Sequence, residues 1–221
     1  RQYAINSREE LAELLIHDPS VRDRYVDLNL YYLPVSAGYA INAIMPVMAP
    51  RASAGNPAAI IPSSKLAPPR LKDGNLIYVG LLSGLGLLRE PVFANSRFAL
   101  GGSYDEILDL KTGKVYVADP PSDAATPRRN YALVAMMLGP NGNRIMIIAG
   151  TRDPALLQAA DILVTPETLR EIEKVAPQGY FEALYAVDGV GDENLRGTLV
   201  AVAPRATEGI WDAVIEPEAG K

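Results

Sequence analysis

Apolar runs that end in glycine-bearing turns, helical apolar spacing after them, and hairpin signals between later apolar runs predict an α/β fold. The expectation is a mixed sheet: a Rossmann-like three-layer core with antiparallel hairpin extensions. The chain's central unit is DGNLIYVGLLSGLGLL, residues 73–88. Asp73-Gly74 turns into the apolar run Leu76-Ile77-Tyr78-Val79; Gly80, Ser83, Gly84 and Gly86 then open toward a helical segment. The same layout recurs at Ile145-Met146-Ile147-Ile148-Ala149-Gly150-Thr151-Arg152-Asp153-Pro154. Strand, turn and helix N-terminus is the arrangement by which α/β proteins present unpaired N–H groups to a ligand.

Composition narrows the function. The chain has 221 residues, 48% of them apolar and 21% charged, which suits a globular domain with a sizeable core. A net charge of −5 disfavours a nucleic-acid groove, since phosphate binding needs a concentrated basic face. The absence of cysteine removes disulfides, thiolate metal sites and cysteine nucleophiles. It leaves the compartment undecided, with the cytoplasm slightly favoured. No run of about 18 apolar residues occurs, so no membrane span is expected, and residues 1–25 are not expected to act as a signal peptide. Beginning at Arg1, the chain reads as a fragment or a processed product.

In order, residues 1–25 read as an N-terminal amphipathic helical arm. Ser7 and Glu10 have capping-box spacing, and Leu11, Leu14 and Leu15 form an apolar stripe over residues 7–16. The helix should stop near Asp18-Pro19, with a short turn at residues 20–25. The α/β domain is expected over 26–204. Its first strand is Leu28-Asn29-Leu30-Tyr31-Tyr32-Leu33, followed by a short helix at residues 39–45 closed by Pro46. Residues 46–69 hold six prolines and read as an extended loop around a short apolar run at 58–61, long enough to cover a site. Glu90-Pro91 breaks the segment after Gly86 or starts a new turn toward Phe93, and Gly101-Gly102 is a hinge or tight turn. Residues 106–110 and 115–117 flank Thr112-Gly113 as a hairpin, and residues 120–129 read as a polar loop. Apolar runs at 131–137 and 144–149 flank Pro140-Asn141-Gly142-Asn143, a strong hairpin signal. Helices follow from Asp153, with Leu156, Leu157, Ala160 and Leu163 at helical spacing, and from Pro166, with Thr165 as N-cap. Residues 181–187 and 198–202 form a last hairpin around Gly189-Val190-Gly191. Residues 205–221 are a C-terminal tail that Ile210 and Trp211 could dock.

The candidate chemistry is sparse. Ser83 follows Gly-Leu-Leu rather than sitting in Gly-x-Ser-x-Gly, and the one histidine is His17, in the arm. Ser83 therefore reads as a turn former or N-cap. Gly84-Leu85-Gly86 starts like a dinucleotide fingerprint, but Arg89 stands where the third glycine belongs. What remains is a ligand-binding expectation at Gly80, Ser83, Gly84 and Gly86, with Arg128, Thr151 and Arg152 adding charge or a cap. Arg128 and Arg129 also read as ordinary loop surface, and Arg152-Asp153 as part of a capped helix start. Asp105, Glu106 and Asp109 lack the spacing of a calcium loop. No catalytic residue, metal or cofactor is expected.

Two stretches carry a family resemblance: Gly74-Asn75-Leu76-Ile77-Tyr78-Val79-Gly80 leading to Asn95-Ser96-Arg97-Phe98, and Asn130-Tyr131-Ala132-Leu133-Val134 with Ile147-Ile148-Ala149-Gly150-Thr151. They resemble uncharacterised bacterial sensory domains, Rossmann-like or similar to periplasmic binding proteins, that sit C-terminal to regulatory modules. The resemblance covers residues 74–175 and departs at Leu81-Leu82, where polar residues are usual. It implies a sensory domain and transfers no catalytic residue. The functional expectation is a non-catalytic ligand-sensing or protein-interaction domain of a bacterial regulatory protein. The alternative is an enzyme acting on a nucleotide or sugar at the 80–86 turn. Expected partners are a small anionic ligand and a second copy of the chain, paired through the N-terminal helix; no nucleic acid is expected.

Overall fold

Strand order follows from which apolar runs must be buried on both faces. In the computed structural model, which describes residues 8–23, 33–48, 58–120, 126–191 and 193–212, the main sheet has five strands in the order β1-β6-β5-β7-β8. These are β1 (Leu76–Leu81), β5 (Pro127–Leu138), β6 (Arg144–Gly150), β7 (Phe181–Val190) and β8 (Glu193–Pro204). Only β1 and β6 run parallel; every other pairing is antiparallel, so the sheet is mixed, as the sequence predicts. Residues 131–135 of the central β5 are all buried, which is why that stretch reads as a continuous apolar run rather than an alternation.

One face is covered by helices α2 (Val35–Met48), α4 (Asp153–Val164) and α5 (Pro166–Val175). Ala37 and Ala40 of α2 share a core with Ala155, Leu156, Ala159 and Ala160 of α4, and with Ala132, Val134 and Ile148 of the sheet. The alanines let helices and sheet approach closely, so the larger buried side chains such as Leu156 fill the layer; each such side chain stabilises the fold by roughly 1.5–3 kcal/mol. The opposite face is covered by a second, antiparallel sheet of β2 (Phe98–Leu100), β3 (Glu106–Asp109) and β4 (Lys114–Val117). With it come 3-10 turns carrying Leu82, Leu85 and Leu88, and the short helix α3 (Arg89–Phe93) carrying Val92. The three layers are thus helices, mixed sheet and small sheet. Residues 205–212 dock on this side: Ile210 is fully buried and the Trp211 indole donates to the Leu138 carbonyl at 2.9 Å.

Several local expectations need correction. The expected strand at 28–33 lies outside the described residues except for Leu33, which is irregular and leads into α2. Helix α2 starts earlier than expected and runs through Pro46. Proline removes one N–H, but here in the last turn and on an exposed side, where the loss disturbs little of the helix. Residues 82–88 form 3-10 turns rather than the start of an α-helix, and α3 begins only at Arg89, with Pro91 inside it. Residues 127–129, expected in a loop, belong to β5. Thr165 precedes α5 without capping it: its hydroxyl donates to the Asp161 carbonyl at 2.8 Å. Helix α1 (Arg8–His17) forms as expected, with Leu11, Leu14 and Leu15 half-buried and Ile16 exposed; Ser7, its expected cap, lies outside the described residues.

Candidate functional site

The parallel pairing of β1 with β6 sets Leu81 opposite Gly150, so the turns at 80–86 and 150–153 leave the sheet side by side. This is the edge at which open α/β sheets place ligands. Thr151 is fixed there by β5: its hydroxyl accepts from the Tyr131 N–H at 3.0 Å, and its own N–H donates to the Tyr131 carbonyl at 2.9 Å. Arg152 precedes α4 and donates through Nη2 to Asp105 at 2.7 Å. Asp153, the first residue of α4, accepts from the Ser36 hydroxyl of α2. Arg128 is buried in β5 and binds the β7–β8 connection, through Nε to the Gly191 carbonyl and through Nη2 to the Glu193 carbonyl and the Asn194 side chain. Asn194 in turn donates to the Pro154 carbonyl at 2.8 Å, tying Arg128 to the start of α4. The structure therefore brings Arg128, Thr151 and Arg152 to one edge. Arg129 lies on the same strand but pairs across it with Asp188, at 2.6 Å.

The glycines of the 80–86 turn have a packing cause. Tyr78 is buried and folds back along its own strand, its hydroxyl donating to the Leu81 carbonyl at 2.6 Å. Burial pushes its phenol pKa well above the ordinary value. A Cβ on Gly80 would stand 2.6 Å from the Tyr78 hydroxyl oxygen, and one on Gly84 would stand 2.9 Å from it. Both positions accommodate Tyr78. Gly86 serves backbone geometry, with φ of +52°. Ser83 is half-buried in the first 3-10 turn. Of the two turns, only the second leads directly into an α-helix. There a Cβ on Gly150 would meet the Leu156 nitrogen at 2.5 Å, so this glycine lets α4 fold back on β6.

A second polar cluster, which the sequence reading passed over, sits at the opposite end of the sheet. Glu182, near the start of β7, is almost completely buried and accepts three hydrogen bonds: from the Ser96 hydroxyl at 2.6 Å, the Arg97 N–H at 2.6 Å and Arg205 Nη1 at 2.7 Å. Arg205, also buried, donates to the carbonyls of Pro91 and Ala94 at 2.8 and 3.0 Å. Desolvation lowers its pKa against the opposing pull of Glu182. Arg97 grips Asp109 with Nε and Nη2 at 2.9 and 2.7 Å, and the Asp109 side chain is wholly inaccessible. Those bonds hold the Asp109 carboxyl well below the usual carboxylate range. A cleft of about 540 Å³ opens beside the cluster, lined in part by Ser96, Arg97, Lys111, Glu182 and Val202. The available signal was Glu182 itself, the one charge in the otherwise apolar run 181–187.

On the helical face, a shallow groove of about 360 Å³ runs between α2 and α4, lined by Tyr39, Ala40, Ala43, Leu157, Ala160 and Asp161. Val35 and Tyr39 are 73% and 63% exposed there, on a helix without charged residues. Among the described residues, no three His, Cys, Asp or Glu side chains converge to hold a metal, and no helix is long and apolar enough to cross a membrane. No protein-family model, curated protein or solved structure matches the chain.

Proposed function

We propose that this chain is a non-catalytic, ligand-sensing domain of a bacterial regulatory protein, and that it takes a small anionic ligand at the edge where β1 and β6 end. The observation that carries this is the register of Leu81 with Gly150, which sets the 80–86 turn beside Thr151 and Arg152. The likeness of residues 74–175 to bacterial sensory domains points the same way. An enzyme acting on a nucleotide or sugar would need carboxylates converging on that edge as acid and base. Asp105 and Asp153 are instead held by separate partners, Arg152 and Ser36. The test is an amide NMR titration of the whole chain with inorganic phosphate, acetate and a nucleoside monophosphate. Shifts clustered at residues 80–86 and 150–153, and lost in Arg152→Gln, are the expected result. Shifts clustered around Glu182, or none for any anion, would overturn it.

A protein-interaction role is the second reading, favoured by the uncharged helix α2 with Val35 and Tyr39 exposed. Pairing of two copies through helix α1 belongs to the same reading. Sedimentation of the chain with and without residues 1–25, and of Tyr39→Glu, tests both. A mass that neither change alters, and that remains monomeric throughout, would set this reading aside.

A further inference from the structure

The contact between Arg152 and Asp105 differs from the forked arginine–aspartate pairs of the two sheets, and from the single-bonded Arg205–Glu182 pair in being part-exposed rather than buried. Arg97 and Arg129 each hold their aspartate through two nitrogens, Nε and Nη2, in a fork. Among the described residues Arg152 makes a single bond to a carboxylate, from Nη2 to Asp105 Oδ2 at 2.7 Å, and its Nε is buried without a hydrogen-bond partner. Half of the guanidinium fork is thus unused. A buried donor without an acceptor is unfavourable, and a two-oxygen anion placed against Nε and Nη2 would satisfy both. The pair is also within reach of solvent, with side chains 28% and 37% exposed.

We infer that the Arg152 guanidinium is an oxyanion site in which the Asp105 carboxylate is a built-in stand-in, and that a ligand carboxylate or phosphate binds by displacing it. This rests on the ligand-sensing reading above and gives that site its chemistry and its regulation. The backbone of Asp105 is fixed, because its carbonyl accepts from the Ala118 N–H at 2.8 Å. The exchange is therefore a rotation of one side chain. Neighbouring Tyr104 stays under the Arg89 guanidinium, 5.6 Å from its ring centre, and anchors the segment while Asp105 moves. A monodentate, part-exposed pair is the kind that contributes little to stability and is open to competition. A ligand engaging both nitrogens gains the second charge-assisted bond that Asp105 does not make.

The experiment follows the Arg152 side-chain Nε–H resonance in the whole chain during separate titrations with inorganic phosphate and sodium acetate. Asp105→Asn removes the competing charge and keeps the shape. Asp73→Asn, at an exposed aspartate in the turn before β1, makes the same change in net charge as a control. The expected result is a saturable shift in the parent and binding about 3- to 5-fold tighter in Asp105→Asn, the factor set by losing one exposed ion pair as competitor. Asp73→Asn stays at the parent affinity, and Arg152→Gln abolishes the amide shifts at residues 150–153. Which anion binds more tightly separates a phosphate-bearing ligand from a carboxylate. Saturable binding at Arg152 with equal affinity in parent and Asp105→Asn overturns the displacement while leaving the anion site standing. Equal gains in both aspartate variants overturn it too, as a net-charge effect. No response of Arg152 to either anion in parent and Asp105→Asn alike overturns both the displacement and the anion reading it rests on.

Discussion

Replacing Glu182 with alanine removes one carboxylate and leaves three donors without their acceptor: the Ser96 hydroxyl, the Arg97 N–H and Arg205 Nη1. Arg205 is the costly one. Its side chain is 1% exposed and that of Glu182 3%, so the guanidinium keeps its two carbonyl partners but loses its counter-charge in a site water hardly reaches. Breaking a buried pair from one side typically costs about 3–5 kcal/mol. The hydrogen-bond losses share one acceptor and are contained in that figure rather than added to it. For a chain of 221 residues, each kcal/mol moves the melting temperature by about 2–4 °C, so the midpoint should fall by roughly 6–20 °C. The single tryptophan reports unfolding well, since Trp211 is buried against the sheet and hydrogen-bonded to Leu138. Urea titrations at neutral pH, read by its fluorescence, give the free-energy difference. The double variant Glu182→Met with Arg205→Met should recover most of the loss, because an apolar pair leaves no stranded charge. A Glu182→Ala cost below about 1 kcal/mol would refute the reasoning, for it would mean that water solvates Arg205 once the carboxylate is gone. A double variant as unstable as the sum of the two singles would refute the pairing.

Gly84→Ala places a methyl 2.9 Å from the Tyr78 hydroxyl oxygen, the only atom within 4 Å among the described residues, its chain neighbours aside. It should cost about 1–3 kcal/mol alone, and no more than about 0.5 kcal/mol in a Tyr78→Phe background. Equal costs in both, measured by urea unfolding, would mean that the glycine serves something other than Tyr78. For acid stability, the Asp109 carboxyl is held below its unfolded value by Arg97, so the unfolded chain takes up protons first as pH falls through about 4. The Asp109 contribution is present above that pH and lost below it, toward the depressed folded value. Asp109→Asn should therefore flatten the acid limb of a melting-temperature profile, and an unchanged limb would count against it.

Most sheet strands and hairpins were legible because their signals are local, although β2 was not expected and β8 begins at Glu193, well before the expected 198–202. The run at 131–137 is apolar since β5 is central and covered on both faces. The Asn141-Gly142 turn forms with Gly142 at φ of +77°, the left-handed conformation that glycine tolerates. The common strand–turn layout of residues 73–88 and 145–154 was also visible, but that β1 and β6 pair in parallel, and so share an edge, comes from the structure. The polar partners were not legible. Ser96 and Glu182 lie 86 positions apart, and Arg205 a further 23 on, so nothing in the neighbourhood of any of them announces the cluster. Arg128 misled for a related reason. A charge at the head of an apolar run looks like loop surface, yet this one is buried because carbonyls of the β7–β8 connection meet it. The glycines of the 80–86 turn were visible as a signal but not as a cause, since the tyrosine that requires them precedes Gly80 by two residues and folds back over both.

The two ends of the sheet hold their charges on different terms, and strand β3 connects them. At one end of β3, Asp109 is inaccessible and gripped by both forks of Arg97, whose own N–H is committed to Glu182. Just before its other end, Asp105 holds Arg152 by a single, part-exposed bond. A contact of the first kind does not exchange with a ligand, because releasing it strands buried charge; one of the second kind exchanges at little cost. On the displacement inferred above, an anion that takes Arg152 from Asp105 therefore turns one side chain, while the small sheet stays fastened to β7 through the Arg97 N–H on Glu182.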